Sequence, residues 1–286
     1  MEINTFSDLL NVLTAFLSLF FAFFLLTIMS KNRLSNILIA LYLILFGLDA
    51  GTIITSQLIT QHYPGMGIML NTLLFLAPPI LYLYILSVCF GNFELQKKHL
   101  WHSIPFILAI VILIPNFYFE SYDEKIRILI AEDGVIIEMK LIYLMLHLQT
   151  LTYVLAGMSV IFRAKKLVLE NYSGGSVNHF NWLLTLLVII IFEIVASTFK
   201  NVFLLYNLEQ HYSLAMTLTG VVALFFISWL VMKALRSPEL FGKVDAQQLL
   251  VKQLISNDGS GTSAQRTMGP EQDKQIDFLL NYMETN

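Results

Sequence analysis

Seven long apolar stretches run through this chain, and its charged residues fall almost entirely between them. A bilayer's hydrocarbon core, about 30 Å thick, takes roughly 20 apolar residues per crossing helix. Backbone in lipid must satisfy its own hydrogen bonds, so only helices or a closed barrel can cross. The stretches are continuous rather than alternating, which selects helices over strands. Hydrophobic residues make up 57% of the chain and charged ones 13%, which leaves little material for a separate soluble core. The expected fold is all-α: a polytopic seven-helix transmembrane bundle with spans near 8–29, 35–60, 66–90, 99–119, 139–162, 179–206 and 211–235.

The connections predict an orientation. Lys31 and Arg33 lie in the first, Lys97 and Lys98 in the third, and Arg163, Lys165 and Lys166 in the fifth, while Lys233 and Arg236 close the last span. The second, at 61–65, has no Lys or Arg. The fourth, around 120–138, is acidic, and the sixth carries Glu209. Basic residues favour the cytoplasmic side, so the N-terminus is expected outside and the C-terminal tail in the cytoplasm. The first eight residues contain no Lys or Arg, unlike the basic start of a signal peptide, so the first span is read as retained. Three segments follow. Residues 1–236 form the membrane bundle. Residues 237–270 hold an amphipathic stretch and a Ser/Gly-rich flexible linker, and 271–286 read as one amphipathic helix with Ile276, Leu279, Leu280 and Met283 on one face.

Ionisable groups within spans are costly and mark function by default. Asp49 falls in the second span, Glu193 and Lys200 in the sixth. Seven residues separate the last two, nearly two turns, so they share a face about 10 Å apart along the axis. Gln57, Asn71, His147, Gln149 and Asn201 are the other strongly polar groups, at mid-depth or in the outer half. This asymmetry predicts a polar cavity open to the outside and closed below by an apolar plug. Asp49, Glu193, Lys200, His147 and Asn71 are the candidate ligand-binding or signalling residues. For Asn71, His147 and Gln149, plain helix-to-helix hydrogen bonding is the competing explanation. Gly47 and Gly51 flank Asp49 at the spacing that lets a neighbouring helix approach closely. Pro78-Pro79 should kink the third span.

Catalytic signatures are lacking. There is no HExxH, Gly-x-Ser-x-Gly elbow or P-loop, and Asp49 has no second aspartate to make a protease pair. Lone Cys89 offers no metal or redox pair. No enzyme activity, metal or cofactor is expected.

Several short segments resemble one family. Pro79-Ile80-Leu81-Tyr82-Leu83-Tyr84 is followed by Lys97-Lys98-His99-Leu100-Trp101-His102-Ser103-Ile104-Pro105-Phe106. Then come Pro238-Glu239-Leu240-Phe241 and Gln275-Ile276-Asp277-Phe278-Leu279-Leu280-Asn281-Tyr282-Met283-Glu284. In order and spacing they resemble the membrane-embedded AraC/XylS-type transcriptional regulators of bacteria. The resemblance implies a multi-pass inner-membrane sensor that passes an external signal to a tethered helix-turn-helix domain. That domain would begin near Glu271 and continue past Asn286, and the chain would reach DNA only through it. The other partners expected are the lipid bilayer, a small-molecule or proton signal, and a second copy of the chain. A small-molecule transporter or channel and a passive membrane anchor are the rival readings.

Overall fold

The computed structural model describes residues 6–28, 33–90, 93–130, 136–171, 178–206 and 208–236. The expected linker and terminal helix at 237–286 lie outside the described residues.

Among the described residues there is no strand, and seven helices are long and apolar enough to cross a membrane. The chain is therefore a multi-pass membrane protein. The helices are Phe6–Thr27, Arg33–Ala50, Pro64–Cys89, Lys97–Tyr118, Ile137–Asn171, Asn178–Leu205 and Glu209–Arg236. Five match the expected spans to within a few residues. The fifth is longer at its basic end. It has 35 residues, about 52 Å at 1.5 Å each, against a core of about 30 Å.

Six of the seven close a ring. The first packs on the second, the second on the third, the third on the fifth, the fifth on the sixth, the sixth on the seventh, and the seventh on the first. The fourth stands outside, held to the third and fifth by an apolar cluster of Ile68, Phe75, Ala109, Leu113, Phe117 and Ile142. Small residues make the ring tight. A Cβ on Gly47 would come within 3.2 Å of Ser18, and one on Gly51 within 3.5 Å of the Ala15 methyl. Ser18 and Thr14 bond back to carbonyls of their own helix, which removes their polarity from this contact. The Gly47/Gly51 pair is thus a packing device, as its spacing implied.

The second helix is less regular than its apolar run implied. It stops at Ala50, one residue past Asp49, and resumes as Thr52–Thr55 and a wide π turn at Ser56–Thr60. Gly67 then packs against that turn, and a Cβ there would sit 2.2 Å from Thr60 Oγ1 and 2.7 Å from Thr60 Cβ.

The prolines explain the interruptions in the third and fourth helices. A proline cannot donate to the carbonyl four residues back. At Pro105 the deserted carbonyl of Trp101 accepts from the Ile104 amide instead, and at Pro115 that of Val111 accepts from Ile114. At Pro78 the Leu74 carbonyl accepts from the Ala77 amide, producing the tight turn Leu73–Leu76. Pro79 deserts the Phe75 carbonyl, and here the donor comes from another helix: Gln149 Nε2 at 3.0 Å. The expected kink is therefore a tightened turn with one cross-helix bond.

The acidic fourth connection holds a short amphipathic helix, Tyr122–Ile130. Ile128 and Leu129 pack on the apolar cluster, and Tyr122 Oη donates to the Gln61 carbonyl at 2.6 Å.

Candidate functional site

The ring encloses an open cavity of about 370 Å³. Its wall takes Asn11 from the first helix, Asp49 from the second, Asn71 from the third, His147 from the fifth, Glu193 and Lys200 from the sixth, and Tyr212 from the seventh. All five residues singled out in the sequence meet on this wall. The volume lies within the range of small-molecule pockets and far exceeds what a single ion or water fills.

The cavity occupies the half of the bundle away from the basic connections. Its wall on the second helix runs from Tyr42 to Thr52 and on the seventh from Tyr212 to Ala223. Towards the basic end the interior is filled by Leu38, Ile39, Ile85, Ile161, Leu183, Phe226 and Leu230, each at most 3% exposed. The apolar plug expected from the sequence is there.

The polar groups fall into two sets. His147 and Gln149 are engaged in helix-to-helix bonds: His147 Nε2 and Asn201 Nδ2 are 2.8 Å apart, tying the fifth helix to the sixth, and Gln149 serves the Phe75 carbonyl. Asp49, Glu193 and Lys200 form the other set. Among the described residues none of the three has a hydrogen bond or an ion pair. They still feel one another, since Asp49 and Lys200 each act electrostatically on Glu193. Asp49 has accessible surface although protein atoms surround it, as befits a carboxyl group on the wall of an open cavity. Asn71 is likewise exposed there. Gln57 lies in the π turn away from this wall.

Each element places its group for a local reason. Glu193 and Lys200 share the inward face of an unbroken helix. Asp49 sits in the last turn of a helix that stops at Ala50, and a helix's C-terminal end carries a partial negative charge. Sequence reasoning missed Asn11, Tyr42, Tyr143, Tyr153 and Tyr212, which also line the cavity. Asn11 is the one amide in the first helix, a signal that was available. The tyrosines gave none, because aromatic residues at helical spacing read equally well as core. Tyr153 Oη also lies 2.6 Å from His102 Nδ1, which pins the outlying fourth helix to the fifth.

Among the described residues no group of three or more His, Cys, Asp or Glu side chains could hold a metal ion. No family model, no curated protein and no solved structure matches the chain.

Proposed function

We propose that this chain is the sensor part of a membrane-bound regulator of transcription in the bacterial inner membrane, and is not an enzyme. Its cavity faces outward, and its C-terminal tail leads to a cytoplasmic DNA-binding domain. The observation that carries this reading is the placement of three charged side chains, without partners among the described residues, on one cavity closed off by apolar packing towards the basic end. An unpaired charge at mid-membrane costs about 2.5–3.5 kcal/mol even on the mildest scale. A ligand or proton that relieves this cost in one helix arrangement shifts the population towards it. The sixth and seventh helices both line the cavity, and the seventh leads directly into the tail. A transporter would need a polar path through the half that Leu183, Phe226 and Leu230 fill.

Two experiments test the reading. The first is topological. Membrane-impermeant thiol reagents applied to intact cells should label cysteines placed at 121–125 and spare those placed at 163–170, following the Lys/Arg bias. The opposite pattern would turn the cavity to the cytoplasm. The second grafts a helix-turn-helix domain after Asn286 and follows a transcriptional reporter. Asp49→Asn and Glu193→Gln should each reduce the response to inducing conditions to background while insertion and amount stay normal. Parent-like responses from both would favour the passive anchor.

A further inference from the structure

We infer that the cavity takes an organic monocation, an ammonium group carried on an apolar body of small-molecule size. This rests on the sensor reading only for its consequence, not for the binding itself.

Four observations converge. First, Asp49, Glu193 and Lys200 line the cavity with no partner among the described residues, two carboxyl groups and one ammonium with a formal sum of −1 when all are charged. One added positive charge neutralises the set inside a low-dielectric enclosure, where an uncompensated charge is most costly. Second, Asp49 stands at the C-terminal end of a broken helix, and the negative end of the helix dipole adds to its carboxyl group. Broken helices whose C-terminal ends meet near the bilayer midplane coordinate cations by the same means. Third, aromatic rings share the cavity wall with the charges. Tyr42, Phe46, Tyr143 and Tyr212 line the same wall, and Tyr42 and Tyr143 lie within electrostatic reach of Asp49. Aromatic faces attract ammonium groups, and more strongly when water is excluded. Fourth, about 370 Å³ is too large for a bare ion, and apolar residues such as Leu74, Leu81 and Ile190 supply the rest of the wall. The carboxyl groups would hold the ammonium, the tyrosines would flank it, and the apolar wall would take the body. Lys200 is the opposing element: its charge disfavours small cations that make no further contacts.

The test uses the purified full chain in lipid nanodiscs and three isosteric probes, hexylammonium, hexanol and hexanoate. Thermal stabilisation and tryptophan fluorescence are read against concentration. Hexylammonium should bind saturably, and the alcohol and the carboxylate should bind at least tenfold more weakly. Asp49→Asn and Glu193→Gln should each weaken hexylammonium by about 30-fold, as expected when one partner of an enclosed charge pair is lost. Lys200→Met should tighten it. Equal binding of all three probes, tighter binding of hexanoate, equal saturation by sodium chloride, or weaker binding to Lys200→Met would each overturn the inference. The probe series on the unaltered chain decides the matter even if a variant fails to fold. Ammonium binding together with a silent grafted reporter would sink the sensor reading and leave this inference standing.

Discussion

Gln149→Leu is expected to lower the stability of the bundle by about 1–3 kcal/mol, the cost of leaving a buried acceptor unpaired. The acceptor is the Phe75 carbonyl, deserted because residue 79 is proline and supplied instead by the Gln149 amide. Lipid offers no water to take over that role. The same logic names the rescue. In a Pro79→Ala background the new amide at 79 can donate to Phe75 along its own helix, so Gln149→Leu should cost well under 1 kcal/mol there. Detergent-induced unfolding of the four proteins forms a double-mutant cycle that reads the coupling directly. An equal cost of Gln149→Leu in both backgrounds would show that the side chain matters for its packing and not for this bond.

Gly67→Ala should destabilise by a similar amount, about 1–3 kcal/mol, through overpacking. The new methyl would meet Thr60 at three atoms, all within 2.8 Å, and one of them is the Thr60 Cβ, which no side-chain rotation can move away. Thr60→Gly removes all three, so the pair should couple strongly despite the intrinsic penalty of glycine in a helical turn, about 1 kcal/mol. Gly65→Ala is the control. A Cβ there meets nothing closer than 3.9 Å, at the Tyr118 ring, and melting temperatures should not distinguish it from the parent. If Gly65→Ala and Gly67→Ala behave alike, the second-to-third connection is more compliant than its π turn implies.

The helices were legible from the sequence because apolar length is a property of each segment alone. The ring was not. Which helix stands outside it depends on pairings such as Gly47 with Ser18 and Gly220 with Leu10, and no single segment encodes these. Asp49, Glu193 and Lys200, which meet on one cavity wall, were legible as candidates because lipid makes a charge conspicuous wherever it falls. The division of labour among the polar residues was hidden. His147 and Asn71 look equivalent in sequence, yet one is tied to Asn201 and the other faces the cavity without a bond among the described residues. The break beside Asp49 was hidden too, since Gly51 had already been explained by its spacing from Gly47. The short helix Tyr122–Ile130 escaped notice because its acidic surface masked Ile128 and Leu129, which have a partner only once the third and fourth helices are in place.

The ring closes where Gly220 of the seventh helix meets Leu10 and Asn11 of the first. Roughly 200 residues of synthesis separate the two sides of that seam, about 10–40 s at typical elongation speeds. Throughout that interval the first helix has one flank uncovered, and the cavity wall is incomplete. A ribosome that stalls anywhere before the seventh helix leaves a product whose ring is open, and the uncovered flank of its first helix sets it apart from a finished chain.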